Sequence, residues 1–186
     1  MSVLLFAPFD TDQMHIIKRV AQSLPVGMLL YVKEHPQMVK YRPRRYYKEL
    51  KKIPNVKLIK PAVVSFDLIK NAKLLVTLSS TAGWEALLLK KPLVTFGNGL
   101  YNTISMVKKC DVIENLPQII KEQLENFHYD ENELISFIAA IFKESADINL
   151  VQIWDIEGDS KMGEKKEAVI PLVDLIASKL NLKPII

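Results

Sequence analysis

Cysteine occurs once in these 186 residues, at Cys110. That excludes an intrachain disulfide and a cysteine-rich metal site, and it suits a reducing cytoplasm. No apolar run reaches the ~18 residues that a membrane-spanning helix requires. The first six residues carry no basic lead, so they read as a first strand and not as a signal peptide. Glycine is sparse, with six residues. None of them builds a Gly-x-Gly-x-x-Gly turn or a Gly-x-x-x-x-Gly-Lys loop, so the dinucleotide fingerprint and the P-loop are absent. No Gly-x-Ser-x-Gly elbow occurs either, which disfavours a hydrolase. Internal repeats, low-complexity tracts and a metal-ligand cluster are missing as well. Of the three histidines, His15 and His128 fall in expected helices without partner spacing and read as surface residues. Met14, Met28, Met38 and Met106 form no cofactor pattern.

What the chain does have is an ordinary globular balance, 49% apolar and 8% aromatic. Its length is sufficient for one domain with a substantial core. The net charge is +4 and the sequence pI is about 9.0. Much of the excess lies between Lys33 and Lys60, in Lys40, Arg42, Arg44, Arg45, Lys48, Lys51, Lys52 and Lys57. Such a stretch attracts an anionic surface or a phosphorylated ligand, or is simply a solvated helix face. No nucleic-acid motif accompanies it, so no nucleic-acid partner is expected.

Apolar runs separated by helical patterns set the order of elements. Strands are expected at 3–7, 28–32, 55–59, 74–78 and 93–96, with a sixth short one at 110–113. Helices are expected from a cap at Thr11 or Asp12 to residue 24, from Pro43 to 52, and over 65–70, 82–89, 116–126, 131–143 and 166–180. The stretch 157–166 is polar and reads as mobile. Strands that are apolar throughout and alternate with helices indicate a parallel sheet covered on both faces. The fold class is therefore α/β, a doubly wound Rossmann-like parallel sheet with C-terminal helices. One domain is expected over 1–186, with a core to about residue 128 and a helical region from about 129 to the end.

In such a sheet, ligands bind beyond the carboxyl ends of the strands. The polar residues that follow strand ends are Lys33, Glu34 and His35; Lys60; Ser79, Ser80 and Thr81; and Gly97, Asn98, Gly99, Tyr101 and Asn102. Ser79, Ser80 and Thr81 open a helix, where free N–H groups and the dipole favour a phosphate; the same residues are also favoured as plain N-caps. Gly83 permits close approach of a ligand or a strand. Glu85 is either a first-turn acid on the dipole or an acceptor for two ribose hydroxyls. His35, with Lys33 beside it in alternation, is placed to stabilise a departing phosphate, as catalytic residues, or is a loop histidine held by backbone bonds. Asn98, Tyr101 and Asn102 contact a sugar or form a surface turn. Tyr31, Trp84 and the leucines at 87–89 read as core.

These residues resemble a known family. Tyr31-Val32-Lys33-Glu34-His35-Pro36, Asn55-Val56-Lys57-Leu58-Ile59, Ser79-Ser80-Thr81-Ala82-Gly83-Trp84-Glu85-Ala86-Leu87 and Lys91-Pro92-Leu93-Val94-Thr95-Phe96-Gly97 look like capsular polysaccharide biosynthesis glycosyltransferases, the group of the Kdo transferases, distantly similar to polysialyltransferases. The likeness covers about residues 1–105. It implies one half of a GT-B enzyme, the C-terminal domain that holds an activated sugar linked to CMP, UDP or GDP, with no other cofactor and no metal. It further implies that His35 and Pro36 meet the donor phosphate, that Ser79, Ser80 and Thr81 form the phosphate loop, that Glu85 holds the ribose, and that the backbone at Ile59 and Lys60 meets the base. A GT-B enzyme needs two such domains and this length holds one. The expectation is therefore a fragment, or a domain working with a missing N-terminal acceptor domain or partner chain, which alone binds donor weakly and turns over poorly. The expected location is cytoplasmic, with peripheral contact at the inner membrane face left open. Two other readings stand beside it: half of a nucleotide-sugar epimerase, for which no acidic pair is evident, and a non-enzymatic module that binds anionic polymer through the basic 33–60 stretch.

Overall fold

The structure, a computed structural model, describes residues 6–8, 10–35, 38–39, 41–149 and 162–181, with the backbone alone for 162–165. Most of the expected first strand, at 3–7, lies outside the described residues, as does Pro36 of the His-Pro pair and the part of the polar stretch at 157–161. Its remainder, 162–166, belongs to a helix and not to a mobile loop.

The elements are α1 (Gln13–Ser23), β1 (Leu30–Lys33), α2 (Arg44–Lys51), β2 (Val56–Ile59), α3 (Ser65–Asn71), β3 (Leu75–Thr77), α4 (Ala82–Leu88), β4 (Leu93–Thr95), β5 (Val107–Lys109), α5 (Leu116–Glu125), α6 (Glu131–Glu144) and α7 (Met162–Lys179). Local chemistry sets their ends. Asp12 caps α1 by accepting from the His15 amide at 3.1 Å, which fixes a donor the helix itself leaves unpaired. Pro43 precedes the first residue of α2, where its missing N–H costs nothing. At the end of α4, Lys90 takes φ 57°. The Lys91 amide reaches back to the Ala86 carbonyl at 2.8 Å and the Lys90 amide to Leu87 at 3.1 Å. That six-to-one and five-to-two pair closes the helix, and Pro92 then starts the approach to β4.

Among the described residues all strand pairs are parallel. β1 pairs with β2 (Leu30 opposite Val56), β3 with β4 (Leu75 opposite Leu93), and β4 with β5 (Leu93 opposite Val107). Among the described residues these form a two-stranded and a three-stranded sheet. The fold is α/β and Rossmann-like, as the unbroken apolar runs predict. β4 shows why such a run is needed. Leu93, Val94 and Thr95 are all fully buried, because both faces of the strand are covered. On one face Val94 and Phe96 join Ile16 and Val20 of α1 and Leu116 and Ile120 of α5, with Leu30 and Val76 packed against that cluster. The buried Ala86 and Leu87 belong to α4, which packs on β3 and β4.

Several expectations need correction. The last strand is Val107–Lys109 and not 110–113. Its two lysines suggest a loop, yet it is the edge of its sheet, where lysine is tolerated because the side chain reaches solvent. Lys108 pairs with Glu122 of α5 at 3.3 Å and Lys109 with Asp111 at 2.7 Å. Tyr31 is 58% exposed and not core; it stands opposite Lys57, which is exposed too. Leu88 is also exposed, because the seven-residue α4 turns it away from the face that buries Leu87. His128 lies in the loop before α6 and not in a helix, though it is at the surface, as is His15.

The chain divides into residues 1–131 and 132–186. In the second unit the amine of Lys179 bonds the carboxylate of Glu144. Among the described residues no helix is long and apolar enough to cross a membrane.

Candidate functional site

Strand β3 delivers the chain to a hydroxyl-lined turn. Thr77 ends the strand, and its Oγ1 lies 2.9 Å from Ser80 Oγ and accepts from the Ser80 amide at 3.3 Å. Ser80 Oγ in turn accepts from the Ala82 amide at 3.3 Å. The Ser80 carbonyl takes the Gly83 amide, and the Thr81 carbonyl takes those of Trp84 and Glu85, at 3.0 to 3.3 Å. The start of α4 is thus satisfied from within. The expectation of free N–H groups there is corrected: a short helix entered through a hydroxyl-rich turn closes its own first amides. Thr81 makes no side-chain cap. Ser79 and Thr81 line the cleft beside the turn.

That cleft, of about 170 Å³, is lined by Ser79, Ser80, Thr81 and Trp84 on the α4 side and by Asn98, Gly99, Leu100 and Tyr101 on the β4 side, with Phe6 at one edge. Trp84 is therefore a wall of the cleft and not core. Behind the wall sits Tyr101, only 3% exposed. Its hydroxyl donates to the Ser80 carbonyl at 2.9 Å, and Trp84 meets its ring edge-on at 5.6 Å. A Cβ on Gly83 would fall 2.6 Å from Tyr101 Cζ, and one on Gly99 2.8 Å from the same ring. Both glycines are there to let the phenol in, so the close approach expected at Gly83 is to a tyrosine. Burial raises the Tyr101 pKa, as expected when the phenolate loses its hydration.

A second set of bonds holds the β4 loop. Thr95, fully buried, donates through Oγ1 to Asn102 Oδ1 at 3.1 Å. Asn102 Nδ2 donates to the Gly97 carbonyl at 2.7 Å. Asn102 therefore braces the loop from inside and is not a surface turn. The Gly97 amide donates to Leu78 at 2.7 Å, and the Asn98 amide to Phe6 at 2.6 Å. Thr77 and Thr95 were missed as site-forming residues. Their signal was present: they are register partners, each the lone hydroxyl at the carboxyl end of an apolar strand.

Glu85 sits one turn into α4. Its Oε2 is buried and has no hydrogen-bond partner. Such an oxygen costs free energy unless something completes it.

The remaining predicted residues gather at the ends of β1 and β2, where Lys33 stands opposite Ile59. His35 is exposed, and its amide donates to Glu34 Oε1 at 3.2 Å. Glu34 Oε2 accepts from Arg42 Nε at 3.1 Å. The Arg42 guanidinium also bonds Gln13 of α1 and lies 4.4 Å above the Tyr46 ring. This fastens the loop after β1 onto α1 and α2. Lys60 is exposed. Lys33, His35, Ile59 and Lys60 form one group, and none of them lines the 170 Å³ cleft. Ser79, Ser80, Thr81, Asn98 and Tyr101 line the cleft, with Gly83 against the Tyr101 ring; Glu85 is not among the lining residues. Among the described residues, no three His, Cys, Asp or Glu side chains are grouped to hold a metal ion.

Protein FixF of Sinorhizobium fredii is 34% identical over 114 residues, which is 58% of this chain and 26% of that protein. The chain thus spans about a quarter of that relative's length. No solved structure matches. A family described as capsule polysaccharide biosynthesis protein matches residues 1–134. With that match over most of its length, and over all of the strands and loops just described, the chain belongs to the capsule polysaccharide biosynthesis family.

Proposed function

We propose that this domain holds the nucleotide-sugar donor of a glycosyltransferase that builds capsule or another surface polysaccharide, as one half of a two-domain enzyme. The observation that carries the reading is the buried, unpartnered Oε2 of Glu85, one turn along the helix from a turn whose Ser79, Ser80 and Thr81 line the cleft. A carboxylate has lone pairs for both hydroxyls of a ribose. Serine and threonine hydroxyls donate to phosphate oxygens, and Asn98 on the facing loop offers an amide to the sugar. The cleft is smaller than the ~300–1,000 Å³ of a complete ligand pocket, which fits a half-site that an acceptor domain or partner chain completes.

Lys33, His35 and Lys60, at the ends of β1 and β2, supply cationic donors. As a donor gives up its sugar, negative charge grows on the departing phosphate. Preorganised donors aimed at such charge are worth about 2.7–4 kcal/mol each. The Arg42–Glu34 ion pair holds the loop that carries His35 before the donor arrives.

Calorimetric titration with CMP, UDP and GDP tests the reading. Saturable binding of one of them is expected, weakened by Glu85→Ala and by Ser79→Ala. The reading fails if no nucleotide binds at millimolar concentration, or if the Glu85 and Ser79 variants bind as the parent does.

A further inference from the structure

We infer, resting on the donor reading above, that the sugar this domain accepts carries an acetamido group, with Asn98 taking its amide and Leu100 and Phe6 covering its methyl. With the donor phosphate on the turn at Ser79, Ser80 and Thr81, the sugar lies toward the loop after β4. The side chains lining that part of the cleft are Asn98, Leu100 and Tyr101, with Phe6 at one edge and Trp84 on the α4 side. Two of the polar groups here are spent within the protein: the Tyr101 phenol on the Ser80 carbonyl, and Ser80 Oγ on Thr77 and the Ala82 amide. Of the lining side chains on the β4 side, Asn98 is the one that offers polar atoms to a ligand.

Leu100 is 62% exposed and Phe6 46%. Their backbones are fixed in those places. The Leu100 carbonyl accepts from the Thr103 hydroxyl at 3.1 Å. The Asn102 amide donates to the Gly99 carbonyl at 3.0 Å, and the Asn98 amide to Phe6 at 2.6 Å. The Tyr101 ring fills the space beneath Gly99, so the leucine is held at the surface. A lone exposed leucine is ordinary. Here Leu100, Phe6 and Trp84 line one small cleft with a carboxamide among them, which is the make-up of a ligand site. A sugar hydroxyl against Leu100 or Phe6 would give up water and find no partner. A methyl there gives up nothing and covers apolar surface. An acetamido group brings that methyl together with an N–H donor and a carbonyl acceptor, and the Asn98 carboxamide has the reciprocal acceptor and donor. A deoxy sugar brings the methyl without the amide, so it answers only half of the wall.

Calorimetric titration of the 186-residue chain with matched nucleotide sugars tests this. The pairs are UDP-N-acetylglucosamine against UDP-glucose, CMP-N-acetylneuraminate against the analogue with a hydroxyl in place of the acetamido group, and GDP-N-acetylperosamine against GDP-rhamnose. On the base that binds, the acetamido member is expected to bind about tenfold more tightly, from one covered methyl and one amide pairing. Asn98→Ala should leave about fourfold of that preference, the methyl's share. Leu100→Ser should leave about threefold, the amide's share. Val112→Ser, exposed and outside the cleft, should leave the preference whole. Asn98 and Leu100 are exposed, and unchanged circular dichroism and thermal midpoint confirm the fold of each variant; the comparison within a pair on the parent needs no variant. The inference alone is overturned if the bare nucleotide binds but the acetamido member gains nothing over its partner, or if either cleft variant keeps the full preference. If neither nucleotide nor nucleotide sugar binds at millimolar concentration, the donor reading and this inference fail together.

Discussion

The phenol of Tyr101 donates to the carbonyl of Ser80 at 2.9 Å and ties the loop after β4 to the turn after β3. The two loops that wall the cleft are thus joined behind it. Tyr101→Phe removes that one bond, and the Ser80 carbonyl keeps the Gly83 amide. The expected loss is about 0.5–1.5 kcal/mol, read from denaturant midpoints. Tyr101→Ala also empties the space under Gly83 and Gly99, and about 3–5 kcal/mol is expected.

The same phenol sets an alkaline limit. Its pKa is raised by burial, so the folded chain keeps the proton above the pH, about 10, at which an unfolded tyrosine loses it. Between those two values the unfolded state binds fewer protons, and stability falls as pH rises. The contribution is complete below about pH 10 and is lost above it. Midpoints measured toward high pH should fall more steeply for the parent than for Tyr101→Phe. Equal slopes would mean that the phenol is not held as described.

Gly83→Ala and Gly97→Ala should differ in kind. The added methyl at Gly83 meets the hydroxyl end of the Tyr101 side chain, which shifts at a cost of about 1–3 kcal/mol. At Gly97 it meets the backbone carbonyls of Leu78 and Phe6, both at 2.7 Å, and neither can yield without breaking the strand end. The prediction is a folded, weakened protein for the first and a larger loss for the second. A greater loss at Gly83 than at Gly97 in thermal unfolding would contradict it.

Glu85→Ala separates a ligand residue from a structural one. A buried carboxylate oxygen without a partner is a burden to the free protein, and alanine is the better helix former. The thermal midpoint should hold or rise while nucleotide affinity drops. A falling midpoint with unchanged affinity would make Glu85 a structural acid.

Cys110 should report unfolding. It is 4% exposed, its Sγ donates to the Val112 carbonyl at 3.3 Å, and its pKa is raised, first by burial and then by Asp111, Asp10 and Glu114. A buried neutral thiol is a poor nucleophile. Labelling by a disulfide reagent should be slow in the native chain and fast in denaturant; rapid native labelling would show that the segment between β5 and α5 opens.

The sequence by itself determined the order of elements and the side on which a site can form. Runs such as Leu93-Val94-Thr95 have no charged side chain to give to water, so they are covered on both faces, and the loops between them carry most of the polar chemistry. Asp12, Pro43 and Pro92 fixed helix and strand ends, because capping and proline geometry act over a few neighbouring residues. The tertiary structure alone decided which of two local readings was realised. Spacing gives no sign that Tyr101 enters beneath Gly83, that Asn102 binds Thr95 from within, or that Tyr31 faces solvent. Each depends on a neighbour distant in sequence. The free amides expected before α4 were lost for the opposite reason: the Thr77 and Ser80 hydroxyls and the Ser80 and Thr81 carbonyls, all close in sequence, take them.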